Sequence, residues 1–162
     1  DGTLVVEAYN LRALMKVYAD GTVDEWVADI KMAGPNGLTM GPDGTIYVID
    51  HKDGGLFAVS PAGELEKLLQ FPKSTSHGVY HDGGVFVTSR NGFVVYRYDI
   101  ETADVVIIAG SGVEGAADGR GAEASFGRLN AITLGPDGAL YVNHGGEEGI
   151  NPVSIRRIVH KP

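Results

Sequence analysis

Four Asp-Gly pairs, each followed by an apolar strand-like run, set the frame for this chain. They are Asp1-Gly2 before TLVVEAYN, Asp43-Gly44 before TIYVIDHK, Asp82-Gly83 before GVFVTSRN, and Asp137-Gly138 before ALYVNHGG. The spacings are 42, 39 and 55 residues. A related piece precedes three of the pairs, GLTMGPDG, GVYHDG and AITLGPDG, and further apolar runs follow them (LFAVS, FVVYRYD, VSIRRIV; then LEKLL, VVIIA). Each unit therefore reads as four short strands over about 40 residues. Alternation in Thr45–Ile49 and Ala139–Asn143 favours strand over helix, and glycine after Asp supplies the left-handed residue of a hairpin turn.

That period is the signature of a β-propeller blade, a four-stranded antiparallel sheet. A β-sandwich has no reason to repeat a GPDG turn and a YV strand at near-constant spacing. The expected fold is all-β, with blades at 1–32, 33–73, 74–110 and 126–162 and an inter-blade loop at 111–125. The chain opens on a second strand near Thr3 and stops after a third near Val159, so its blades hold three, four, four and three strands. A six-bladed ring needs roughly 240 residues at this period. The expectation is an open arc, about two thirds of a ring, with unpaired edges that invite self-association.

Composition then removes several functions. Glycine reaches 24 of 162 residues, about twice the usual share of roughly 7%, in a chain that is 43% apolar, as many tight turns require. With no cysteine, disulfide scaffolds, Cys-ligated zinc and thiol nucleophiles are out. A net charge of −8 and a lone close basic pair, Arg156-Arg157, argue against nucleic acid. No apolar run approaches the ~20 residues of a membrane span. The chain lacks an initiator Met and a signal-peptide pattern, as expected of a mature form or a piece of a longer chain. Its compartment is left open, with secreted or extracytoplasmic locations compatible.

Two stretches resemble known propeller families. Ala109–Val142 reads AGSGVEGAADGRGAEASFGRLNAITLGPDGALYV and Ile155–Ile158 reads IRRI. Together they resemble an NHL repeat, with its AG-x-G loop, DG-x-G-x-x-A-x-F segment, DG turn, YV and closing IR-x-I. PNGLTMGPDGTIYVID (Pro35–Asp50) resembles the corresponding stretch of gluconolactonase/regucalcin propellers. The first resemblance implies a binding or sensor module, with one amidating-lyase branch. The second implies lactone hydrolysis at a divalent metal in the channel mouth, with Asn36 at the position of a metal ligand.

Which face carries chemistry follows from the loops. Those joining first and second strands are stereotyped GPDG or HDG turns, suited to structure. The opposite face is varied. It holds Glu7, Tyr9, Asn10 and Arg12; then Asp50, His51, Lys52 and Asp53; then Ser89, Arg90 and Asn91; then His144, Glu147, Glu148 and Asn151. Asn36, His77 and Asn130 fall at one point in three successive blades, and the loop to Arg128 adds Asp118, Arg120 and Glu123. The candidate ligand-binding residues are Asn36, Asp50, His77, Arg90, Asn130 and His144. Asn36 and Asn130 are also the candidate ligands for Ca²⁺ or another divalent cation, although two amides and a histidine are a thin set for an ion wanting six to eight oxygens.

Other patterns carry less. His77 and His81 are four strand residues apart, about 13 Å, too far for one zinc ion. The glycine-rich Gly110–Gly121 lacks the GK[ST] ending of a phosphate loop. No G-x-S-x-G elbow exists for a serine nucleophile. Glu147-Glu148 reads as a solvated loop tip, Phe126 and Tyr141 as blade core, and Trp26 as packing on an outer strand. Three functional expectations follow. One is an NHL-type binding module for a small molecule, peptide or protein; another is a metal-dependent lactone hydrolase; the last is an inactive piece of a larger propeller.

Overall fold

The computed structural model describes residues 2–29, 31–145 and 153–160. Fourteen strands in these residues form four antiparallel sheets in chain order. β1 (Leu4–Ala8), β2 (Ala13–Val17) and β3 (Val23–Ala28) make the first. β4 (Pro35–Met40), β5 (Ile46–Asp50), β6 (Gly55–Val59) and β7 (Leu65–Gln70) make the second. The third joins β8 (Thr75–His81), β9 (Gly84–Ser89), β10 (Val94–Asp99) and β11 (Val105–Ala109). The fourth joins β12 (Arg128–Leu134), β13 (Leu140–Gly145) and β14 (Ser154–Ile158). The fold is all-β, a partial propeller of three-, four-, four- and three-stranded blades. The helical stretches among the described residues are two 3₁₀ turns, Tyr9–Leu11 and Gly121–Glu123.

The repeated turn works as its sequence implies. At Asp43-Gly44 the carboxylate accepts from the Thr45 N–H at 3.1 Å and the Thr45 hydroxyl at 2.9 Å, while Gly44 takes φ +83°. Asp137 repeats the pattern on Ala139 at 3.2 Å. An Asx contact plus a left-handed residue is the reason for the Asp-Gly pair.

Blades stack face to face, and each interface has its own core. Leu14, Val27, Met32, Val48, Phe57 and Val59 fill the first, between blades one and two. Ile49, Leu56, Phe71, Val87 and Tyr96 fill the second. Phe86, Val95, Phe126, Leu129, Leu140 and Val142 fill the third. In the two central blades the second strands are covered on both faces: β5 and β9 are buried throughout. Tyr141 departs from the expected core placement. It faces outward on the last blade, half-exposed, and donates its hydroxyl to Asp137 at 3.1 Å.

The innermost strands β4, β8 and β12 lie side by side around the channel. A Cβ at Gly37 would sit 2.9 Å from the His77 Cα and 3.1 Å from the Ser76 carbonyl, so only glycine allows this approach. Across the same seams the Tyr80 N–H donates to Thr39 Oγ1 at 2.8 Å, and the Thr88 hydroxyl donates to the Asn130 carbonyl at 2.7 Å.

Candidate functional site

Of the six candidate ligand residues, three converge. Arg90, on the loop between β9 and β10, Asn130 on β12 and His144 on β13 line one cavity of about 170 Å³ at the channel end of blades three and four. Arg128, Asn143, Gly145 and Val153 complete its wall. The register explains the convergence: Arg128 pairs with Gly145 and Leu129 with His144, before a bulge that ends at Ile132. Antiparallel pairing brings the start of β12 and the end of β13 to one rim, with Asn130 in the bulge.

Donors dominate the polar chemistry of this cavity. Arg90 and Arg128 are half-buried, and among the described residues neither guanidinium has a carboxylate partner. Asn143 Oδ1 accepts from the Ala131 N–H at 2.6 Å, which leaves its NH₂ to donate. His144 is 6% exposed. Its Nδ1 accepts from the Gly127 N–H at 2.9 Å, which fixes the Nε2–H tautomer, and its ring meets Phe126 edge-on at 5.8 Å.

Burial first, and then the Arg156 guanidinium, lower the His144 pKa below its ordinary 6.5. A proton on Nδ1 would also oppose the Gly127 N–H. His160, on the far side of blade three, is lowered too, by burial, then Arg97 and His81. As pH falls through about 6.5 the unfolded chain takes these protons first. Their contribution to stability is therefore complete above that pH, is lost on acidification, and levels off below the folded pKa values. We expect the melting temperature of wild type to fall between pH 7 and 5, and more gently in His144→Asn, whose Oδ1 can keep the Gly127 bond. Parallel curves for the two proteins would contradict this role for His144.

The other three candidates lie outside this cavity and hydrogen-bond within the scaffold. Asp50 is 0% exposed. Its carboxylate accepts from the N–H groups of Ala33 (2.5 Å), Gly34 (2.9 Å), Lys52 (3.0 Å) and Asp53 (3.4 Å). With so many backbone donors around it, it ties the start of β4 to the β5–β6 loop. Asn36 donates to the Ser76 carbonyl at 3.3 Å, from one inner strand to the next. His77 Nδ1 donates to the Asn130 carbonyl at 3.3 Å, again one blade onward. Glu147, Glu148 and Asn151 lie outside the described residues.

For a divalent metal the described residues supply few charged ligands. Among the described residues no three His, Asp or Glu side chains gather for one. Asn36 donates its NH₂ to Ser76 and keeps its oxygen free among the described residues, but the cavity beside Asn130 is lined by two guanidiniums, which repel a cation.

A larger cavity, about 860 Å³, opens between β11, the loop before β12 and the free edge of β14. Ile108, Phe126, Ile155 and Ile158 line it, with Arg156 at its side. Arg156 is a strut that sequence reasoning missed. It donates to Asp118 at 2.5 Å and to the carbonyls of Ala117 (3.0 Å) and Ser125 (3.3 Å), and lies over the Phe126 ring at 5.2 Å. The IRRI motif thus fastens the long loop to the last blade.

No family model matches the chain, and no curated protein does. Solved structures do. Virginiamycin B lyase from Staphylococcus aureus superposes with a TM-score of 0.66 at 16% identity, over 100% of this chain and 54% of that one. A gluconolactonase-like protein gives 0.71 at 14% identity, over 98% and 57%. The nidogen–laminin complex gives 0.68 at 13% identity, over 96% and 62%. The chain spans little more than half the length of these structures. At such identities the likeness is one of fold: this chain is a β-propeller of the architecture shared by the lyase and gluconolactonase-like structures, present in part.

Proposed function

We propose that the chain is a non-catalytic binding module of the NHL type, holding a small molecule in the cavity of Arg90, Arg128, Asn130, Asn143 and His144. The observation behind this reading is the donor-rich wall that three separate loops and strands bring together. Rigid blades with varied loops at one end are the usual support for such a site. Among the described residues no carboxylates gather as the hydrolase reading requires. The blades also present outer strand edges: Ile155 on β14 is 75% exposed, and Val105, Val106 and Ile107 on β11 are exposed as well. Those edges extend the proposal to pairing with a protein partner or a second copy.

Thermal unfolding tests the reading. A ligand that binds only the folded chain raises the midpoint with ln(1 + [L]/Kd). We expect small polar molecules to produce such shifts, and millimolar Ca²⁺ or EDTA to produce none. A Ca²⁺-dependent rise accompanied by lactone turnover would overturn the proposal in favour of the hydrolase.

A further inference from the structure

We infer that the cavity takes a small anionic group, a carboxylate or a phosphate, with Arg90 and Arg128 as its charged partners. This rests on the small-molecule reading above and names the chemistry of its ligand.

The argument is one of unbalanced donors. The chain carries 21 acidic and 13 basic residues, so an arginine here has no shortage of carboxylates to meet. Arg97 pairs with Asp99 at 2.7 Å, Arg156 with Asp118 at 2.5 Å and Arg157 with Asp137 at 2.9 Å, while Arg12 and Arg120, without an ion pair among the described residues, are exposed to water. Arg90 and Arg128 are half-buried on one cavity, and neither has a carboxylate among the described residues. Two like charges sharing a partly desolvated wall repel each other, a cost that an anion between them removes.

The neutral groups agree in sign. The Asn143 oxygen is already engaged by the Ala131 N–H, which leaves its NH₂ to donate, while the Asn130 side-chain amide can turn its NH₂ to an anion. His144 offers no free acceptor, because Gly127 occupies its Nδ1. A ligand here must supply acceptors. Planar guanidiniums match carboxylate and phosphate oxygens in bidentate geometry. Size narrows the class further: about 170 Å³ admits one such group and a few further atoms, well below the ~300 Å³ at which drug-sized sites begin.

Isothermal titration of the 162-residue chain with inorganic phosphate, malonate and glucose, at fixed ionic strength, tests this. Phosphate and malonate should bind competitively at one site, and the tighter of the two identifies the natural group. Glucose should be far weaker. Arg90→Gln and Arg128→Gln should each weaken the anions about tenfold or more, with the circular dichroism spectrum and melting temperature confirming that each variant is folded. Lys31→Gln, which removes the same charge from a distant exposed site, should change affinity less than about twofold. Glu147→Gln/Glu148→Gln should leave anion binding in place.

Equal weakening in Lys31→Gln would overturn the inference, since the effect would be net charge. Anion binding that appears only in the Glu147→Gln/Glu148→Gln variant would overturn it too, because the arginines would then have partners of their own. Glucose binding without phosphate or malonate binding would overturn the anion class and leave the small-molecule reading standing. Binding of none of the probes, in a chain that also shows no thermal shift with other small molecules, would remove both.

Discussion

Replacing Asp50 with alanine should destabilise the chain by about 3 kcal/mol or more. Its carboxylate receives four backbone N–H groups from two loops, and the N–H of Gly34 is buried with it. Alanine leaves those donors unsatisfied, and each such group costs on the order of 1–3 kcal/mol. Asp50→Asn should recover little. An amide can keep one oxygen, but its NH₂ then faces donors on the other side. Urea unfolding should show a lower midpoint with an unchanged slope, since the blade packing itself is untouched. A loss below about 1 kcal/mol would show that water replaces the carboxylate and that the loops hold themselves.

Phe126→Ala should cost about as much, in the range of about 3–5 kcal/mol for an emptied aromatic site. The ring is 1% exposed in the core between blades three and four. It carries the Arg156 guanidinium on one face and meets the His144 ring at its edge. Removing it should therefore loosen the loop before β12 as well as the blade interface, so proteolysis near 111–125 should accelerate. Water entering the space should also raise the His144 pKa toward its ordinary value, which imidazole resonances in a pH titration will report. Phe126→Leu, which retains most of the volume, should cost less than half as much. A normal pKa for His144 in wild type would contradict the packing described here.

These two residues also mark what the sequence makes legible. The blades are readable because the repeat, the Asp-Gly turns and the strand periodicity are local, and each has a local cause: Gly44 takes a positive φ and Asp43 binds the residue after it. Phe126 is readable as core from the DG-x-G-x-x-A-x-F pattern. Asp50 is not readable as a clamp, because an Asp after an apolar run looks the same whether it meets water or the N–H groups of Ala33 and Gly34, 17 and 16 residues away. Tyr141 misleads for a related reason. Its YV motif is shared with Tyr47, which is buried between blades, whereas Tyr141 is only partly covered among the described residues.

Three of the residues that line the proposed cavity are legible in the sequence. Loop variety on one face singles out Arg90, Asn130 and His144 together with Asp50, Asn36 and His77, and nothing in the sequence separates the groups. The separation comes from long-range hydrogen bonds: Asn36 to Ser76 and His77 to Asn130 span 40 and 53 residues. Asn143 escapes notice because it precedes the more conspicuous His144 in an ordinary strand. Arg128 is visible in the loop, but only the pairing of β12 with β13 sets it opposite Gly145 and beside Arg90.

The most direct measurement is an amide and arginine Nε–H chemical-shift map of the ¹⁵N-labelled chain titrated with inorganic phosphate. The account predicts saturable shifts centred on Arg90, Arg128, Asn130, Asn143 and His144, with Asn36 and Asp50 unmoved. Shifts centred instead on Ile108, Arg120 and Ile155, in the larger cavity at the β14 edge, would contradict it.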